Sequence, residues 1–299
     1  MITTIASQQS LLLRRQRVAL VGLVGLAVTA MAGILGWSSH HTIVRVFDQA
    51  VRLQAAAGQP APPNPFLLEP NLSLLSNMVV YIPLIGALLA LVVGHLILVE
   101  DQGKAMGRLL FTRQVTRTQY ALGKILASTR FLPVTLAGCG LVSLAALLYL
   151  SAFYCLGAIA TAKAKIPANG LVIALGIWLL VVLVLPQIGD TLDADNQLPG
   201  GLFQALGLNH DGEVAVLTHF TGYERIRTGI EEASLAKHFE RFAFAMSDVK
   251  ERYRPYGLSW LLNETRNDIG WLIAYATALF LGLRRTLTRQ QPIPTGGKS

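Results

Sequence analysis

Five long apolar runs divide this chain, and they limit the folds open to it more than any other feature of the sequence. A helix needs about 20 consecutive apolar residues to cross a bilayer. The chain has 299 residues and is only 14% charged, whereas soluble domains average about 25%. This pattern predicts a multi-pass membrane protein with runs at 18–37, 78–99, 122–162, 170–186 and 269–283.

The run at 122–162 is too long for one span. A straight helix of about 40 residues would measure about 60 Å, roughly twice the hydrocarbon thickness of a bilayer. Two helices joined by a tight turn near Gly138, Cys139 and Gly140 fit instead. The chain therefore has six predicted spans.

The distribution of basic residues sets the predicted orientation. With the N-terminus inside, the predicted cytoplasmic pieces hold fourteen of the 25 Lys and Arg residues and only two acids. The predicted external piece 187–268 holds eight Lys and Arg and thirteen acids. Cytoplasmic loops carry the Lys/Arg excess, so this arrangement is favoured over its inverse. We expect an all-α integral membrane protein of six transmembrane helices with both termini in the cytoplasm. The alternative for residues 1–37 is a signal peptide cleaved after Ala30-Met31-Ala32.

The spans imply three parts. Residues 1–186 form five spans with a cytoplasmic segment at 100–121, residues 187–268 form a helical extracytoplasmic insert, and residues 269–299 form the sixth span and a tail. Within the insert, apolar residues at helical spacing predict one amphipathic helix over 228–253, opened by a capping box of Thr228 and Glu231. Its apolar stripe packs on a short helix near 258–263, on the membrane surface or on a partner, or it closes a self-contained cap. The residues predicted to contact an extracytoplasmic partner are Phe239, Phe242, Met246 and Tyr253.

No catalytic pattern appears in the sequence. The histidines lack metal-binding spacing, although His40-His41 leave a metal site open as an alternative, and neither cysteine has a metal-spaced neighbour. The terminal Gly-Gly-Lys-Ser has Pro292 where a phosphate loop begins with glycine. We therefore predict no enzyme activity, no metal and no cofactor in this chain. The net charge of +8 lies beside apolar runs, which argues against a nucleic-acid partner.

Two features inside the spans have structural or functional interpretations. Gly25, Thr29 and Gly33 recur every four residues in the first run, a spacing that lets membrane helices pack closely. Arg130 is an ionisable residue within a predicted span, which marks a functional candidate or a side chain that snorkels to the interface.

The segment between the second and third predicted spans carries a resemblance. It reads Glu100-Asp101, then Leu109-Leu110, then Gln114-Val115-Thr116-Arg117, and ends in Leu122-Gly123-Lys124. Over 95–130 this resembles permease subunits of ABC-2 type ABC transporters, in which Gln114 would be proline and a Gly-Thr would precede the leucines. Within that family, the run Glu251-Arg252-Tyr253-Arg254 followed by Leu262-Asn263 resembles the helical extracytoplasmic insert of the branch that is similar to the permease of nitrous oxide reductase maturation.

The resemblance implies that this segment is a coupling helix docked in a cytoplasmic ATPase subunit. Basic side chains would pair with acids of the ATPase, apolar ones would fill a pocket, and the two acids would hold the segment in place. The alternative is a solvated loop that touches only lipid headgroups. The implied coupling residues are Glu100, Asp101, Arg108, Leu109, Leu110, Phe111, Arg113 and Arg117.

The expected function is that of a permease subunit in the cell inner (cytoplasmic) membrane, coupling ATP hydrolysis to export or to mechanical transmission. ATP and Mg²⁺ would bind the partner ATPase. Other expected partners are a second permease copy or a similar permease, membrane lipid and a periplasmic protein. The rivals are an anchor or assembly scaffold without energy coupling, and a membrane enzyme.

Overall fold

A computed structural model describes residues 2–15, 17–60, 76–101, 140–193, 201–208, 210–247 and 256–289, with a few isolated residues between these ranges. About 90% of the described residues are helical, and no strand occurs among them. The all-α prediction is confirmed for this part of the chain. The helices are α1 Ile2–Arg15, α2 Arg17–Ala56, α3 Ser76–Tyr81, α4 Ala87–Asp101, α5 Gly140–Lys163, α6 Pro167–Trp178, α7 Leu185–Leu192, α8 Leu202–Ala205, α9 His210–Leu217, α10 Thr221–Ala233, α11 Leu235–Met246, α12 Leu258–Glu264 and α13 Arg266–Arg289.

Within the described part of the chain, three helical runs are long and apolar enough to span a membrane: Val79–Val99, Leu144–Lys163 and Pro167–Leu192. They coincide with the second predicted span, the second half of the predicted hairpin and the fifth predicted span. Apart from Leu122, Gly123 and Leu126, the first half of that hairpin, with Arg130, lies outside the described residues. Helices α2 and α13 cover the first and sixth predicted spans. Six spans and their orientation therefore stay predictions.

Helix α2 extends beyond the first predicted span, which ended at Trp37. It continues for 40 residues, about 60 Å at 1.5 Å per residue, so residues 38–56 are helical too. No glycine or proline occurs between Gly36 and Gly58. Gly58 has a φ of +72°, a left-handed conformation that ends a helix and suits glycine.

The centre of the bundle is the contact between α4 and α5. A Cβ at Gly94 would overlap the carbonyl oxygen of Tyr154, and one at Gly157 would overlap that of Leu91. The two backbones therefore touch directly, as small residues allow in membrane proteins. This contact explains why 67% of the Val79–Val99 span is buried.

Helices α4 and α5 run parallel. Gly86 lies against Leu150, and nine residues later His95 lies against Thr161. Helix α13 runs the same way, since its first turn binds α11, which lies against Tyr149, and its later residue Gly282 lies against Ile159. Helices α6 and α7 return in the opposite direction after the short turn between Lys163 and Pro167. We call the end of the bundle that contains the Lys163–Pro167 turn the hairpin end, and the opposite end the junction end. This turn differs from the turn of the predicted hairpin over 122–162.

Two π-helical segments lie toward the junction end. Ile82–Gly86 joins α3 to α4 and contains Pro83, and Leu179–Val184 joins α6 to α7. The two segments contact each other and both contact α11. The Tyr149 hydroxyl donates to the Pro83 carbonyl oxygen over 3.2 Å. Single π turns inside α-helices are frequent at functional sites.

Candidate functional site: the junction of the insert with the spans

The predicted helix over 228–253 is two helices in the structure. Helix α10 ends at Ala233, Ser234 is extended (φ −89°, ψ 108°), and α11 begins at Leu235. The predicted capping box is therefore wrong, because Thr228 lies inside α10. The N-cap of α11 is Ser234, whose Oγ accepts a hydrogen bond from the Lys237 backbone N–H at 3.3 Å.

The apolar stripe of α11 faces the chain's own helices. Phe239 and Phe242 are buried, and Met246 is partly buried against the same core. The ring of Phe239 lies 5.1 Å from that of Tyr149 on α5. Tyr253 is also buried, in a small cluster with Leu261 of α12. In this conformation these four side chains form core, so a partner would have to contact a different surface of the insert. The short helix predicted near 258–263 is confirmed as α12.

A buried polar cluster joins α11 to α13. The Asp268 carboxylate lies 2.7 Å from His238 Nδ1 and accepts from Arg241 Nε at 3.1 Å. His238 Nε2 lies 2.8 Å from the backbone carbonyl oxygen of Glu232. The imidazole also stacks on Trp271, with ring centroids 5.9 Å apart. One histidine thus connects the end of α10, the first turn of α11 and the first turn of α13.

Both ring nitrogens of this histidine have partners. A carbonyl oxygen can only accept, so Nε2 carries a proton. Nδ1 lies within hydrogen-bond distance of two groups, an Asp268 oxygen at 2.7 Å and Arg241 Nη2 at 3.1 Å. Arg241 Nη2 also lies 3.0 Å from the same Asp268 oxygen, so the guanidinium supplies a cation to this carboxylate. Both ring nitrogens are occupied, so the ring serves as a link between helices.

A second ionic group joins α10 to the end of α7. Arg227 lies 2.8 Å from Asp193 and also pairs with Glu224 and Glu231. Burial alone would lower the pKa of Arg227, but its three carboxylate partners outweigh that effect and raise the pKa above its ordinary value. The guanidinium therefore stays charged. Glu231 also lies 3.4 Å from Arg241, which connects this group to the first.

Lys237 adds a third ionic link between the insert and the spans, and we call the three links together the junction. Its Nζ lies 3.0 Å from Asp190 on α7. Four helices, α7, α10, α11 and α13, are thus tied together by charged side chains at the junction end. A displacement of any one of them would break an ion pair unless the others move with it. Among the described residues, no group of three or more His, Cys, Asp or Glu residues could hold a metal ion.

The described residues of the candidate spans contain a further buried polar pair, which the sequence pattern did not indicate. His95 Nδ1 lies 2.7 Å from Thr161 Oγ1, and that hydroxyl donates to the Gly157 carbonyl oxygen. Because the only proton of Thr161 goes to Gly157, the hydroxyl oxygen accepts a hydrogen bond from His95 Nδ1. An ionisable residue in an apolar helix is a functional candidate by default, and that rule points to His95 in the sequence.

The predicted coupling and helix-packing residues have no described side chains. Glu100 and Asp101 end α4 at the hairpin end of the bundle, and Gly25, Thr29 and Gly33 lie within α2, but the side chains at these positions lie outside the described part. The remaining coupling residues, Arg108, Leu109, Leu110, Phe111, Arg113 and Arg117, also lie outside the described residues. The predicted coupling segment thus begins where α4 ends.

Comparison with known proteins gives no family for this chain, since no family model matches the sequence and no curated protein matches it significantly.

Proposed function

We propose that this chain is the permease subunit of an ATP-driven ABC transporter of the cell inner membrane, and that it transmits movement of its spans to its extracytoplasmic insert. The observation that carries the proposal is the junction. Helix α11 packs on α5 and α13, and it is fixed to α7 and α13 through Lys237–Asp190 and His238–Asp268. A rigidly fastened insert suits a protein that moves as a unit with its spans.

The helix contacts give a route for that movement. A cytoplasmic ATPase docked at 100–121 would push on the segment that follows Asp101, at the hairpin end of α4. Because Gly94 and Gly157 hold α4 and α5 in backbone contact, the two helices would shift together. At the junction end, α5 contacts α11, and so do α3 and the π-helical segment that precede α4. The π-helical segments are the places where the spans could change their twist.

The rival is a membrane anchor or scaffold. The same junction would then simply hold the insert in place, with no ATPase. Copurification of the full chain with a cytoplasmic ABC ATPase separates the two. We expect the ATPase to be retained by the native chain and lost from the double variant Arg113→Glu, Arg117→Glu.

A matched control uses two other basic residues at the hairpin end. Lys165 and Arg285 are both exposed, so Lys165→Glu with Arg285→Glu changes the same charge outside the predicted coupling segment. The control should retain the ATPase. Equal retention by both double variants would refute docking at 100–121.

A second measurement tests transmission itself. In the reconstituted complex, we expect ATP to change the rate at which a protease cleaves the insert, or the hydrogen exchange of α11. A scaffold would give identical rates with and without ATP. Loss of the ATP effect in a variant that still binds the ATPase would place the defect in the route through the spans.

A further inference from the structure

An open cavity of about 340 Å³ lies between α5 and α6 near the hairpin end. This volume falls within the range of about 300–1,000 Å³ typical of small-molecule sites. The stretch of α5 that lines it, 156–163, is about 12 Å long at 1.5 Å per residue. All but one of the lining side chains are apolar. They are Leu156, Ile159, Ala160, Lys163, Ala164, Ile173 and Ile177.

The side chain of Lys163 places one cation at the hairpin end of this cavity. Lys163 is exposed in the last turn of α5, and no ion pair joins it to another residue of the described chain. Lys165 is exposed in the turn that follows. Arg285 lies at a similar level on α13, because α13 runs parallel to α5 and Gly282 faces Ile159. The cavity is therefore apolar along its length and positively charged at one end.

The surroundings indicate what fills it. Only 11% of the most apolar 18-residue window of Pro167–Leu192 is buried within the chain, so the cavity lies beside a helix whose apolar surface is exposed, as a lipid-facing surface would be. In the predicted orientation its charged end lies at the cytoplasmic surface. Basic pockets between membrane helices on that side bind anionic lipid headgroups.

We infer that this cavity binds one anionic glycerophospholipid. An acyl chain lies along the apolar lining between α5 and α6, and the phosphate of the headgroup pairs with the Lys163 ammonium. The inference depends on the membrane location and predicted orientation of α5 and α6, and not on the proposed transport function.

Native mass spectrometry of the full-length chain in detergent tests the site, with phosphatidylglycerol and phosphatidylcholine of identical acyl chains as probes. We expect phosphatidylglycerol to bind more tightly. Lys163→Gln should weaken its binding about fivefold, the equivalent of one charge contact, and leave phosphatidylcholine unchanged. Lys165→Gln is the control for charge, because Lys165 does not line the cavity.

A second pair of variants tests the acyl chain. Ala160→Phe fills the cavity and should weaken both lipids, whereas Val172→Phe adds the same ring on the exposed face of α6 and should weaken neither. If Ala160→Phe does not fold, Ile173→Ala with Ile177→Ala removes part of the wall and should also weaken both lipids.

Three outcomes would overturn the inference. The wall variants could leave both lipids unaffected. Inorganic phosphate alone could displace phosphatidylglycerol, which would indicate an anion site without an acyl chain. Ala160→Phe could change the mass of an oligomer, which would mean that a second copy of the chain covers the cavity.

Discussion

At the scale of single residues, Gly94 controls how closely two spans approach. Gly94→Ala would place a methyl group on the Tyr154 carbonyl oxygen, so α4 and α5 must move apart. Overpacking of this kind typically costs about 1–3 kcal/mol. We expect a lower midpoint of thermal unfolding in detergent.

Gly176→Ala is the matched control for Gly94→Ala. Nothing lies within 4 Å of a Cβ at that position of α6, and alanine is the better helix former. Its unfolding midpoint should stay the same or rise. A Gly94→Ala protein as stable as the Gly176→Ala protein would contradict the backbone contact.

Asp268 binds both His238 and Arg241 at the junction, so Asp268→Asn should weaken the junction. The asparagine keeps the shape but loses the charge that pairs with His238 and Arg241. Breaking such a partly buried network should cost about 2–3 kcal/mol. We expect faster hydrogen exchange in both α11 and the first turns of α13.

The exposed Glu264, four residues before Asp268, provides the control. Glu264→Gln removes the same charge outside the buried network and should change exchange little, since exposed ion pairs contribute about 0–1 kcal/mol. Equal effects of the two variants would show that the net charge of the region matters and the network does not.

At the scale of elements, the break between α10 and α11 decides where the insert turns toward the spans. Ser234→Ala removes the N-cap of α11 at a typical cost of about 1 kcal/mol. Exchange of the α11 amides should become about fivefold faster. Thr228→Ala, at the N-cap suggested by the sequence, should leave them unchanged because Thr228 is exposed within α10. The reverse result would restore one continuous helix over 228–253.

The sequence shows the helical periodicity of the apolar residues in the insert, but it does not show the helix break at Ser234. The apolar spacing runs through 230–249 without interruption, and Ser234 breaks the helix only because α11 turns to bury Phe239 against Tyr149. Tertiary packing thus overrides a local pattern. The ion pairs were equally hidden, since Arg227 and Asp193, or His238 and Asp268, are about 30 residues apart in sequence.

At the scale of the whole molecule, the apolar runs of the sequence predicted where the three candidate spans lie. The second run, 78–99, appears as Val79–Val99, because a segment of that hydropathy has no polar face with which to form another structure. The fifth run was predicted too short. Its helix continues to Leu192 because Pro186, where the prediction ended, lies in the first turn of α7 and is tolerated there.

The parallel course of α4 and α5 gives a test of the number of spans. Helix α4 ends at the hairpin end and α5 begins at the junction end, so residues 102–139 must connect the two ends. If both helices cross a bilayer, an odd number of crossings lies between them, as the predicted third span supplies. Lys104→Cys and Leu141→Cys should therefore label from opposite sides with a membrane-impermeant maleimide. The background for both is Cys139→Ser with Cys155→Ala.

Two exposed positions serve as references for labelling from each side of the membrane. Tyr223→Cys, in α10, should label in intact cells, and Lys165→Cys, at the hairpin end, only after permeabilisation. Leu141→Cys should follow the first and Lys104→Cys the second. If positions 104 and 141 label from the same side, the chain has no third span. The basic tail after Leu283 would still lie on the same side as Lys165, because α13 is parallel to α5 and ends beside it. An inverted protein would instead exchange the sides from which Tyr223→Cys and Lys165→Cys are labelled. The labelling pattern therefore separates a miscounted span from an inverted protein.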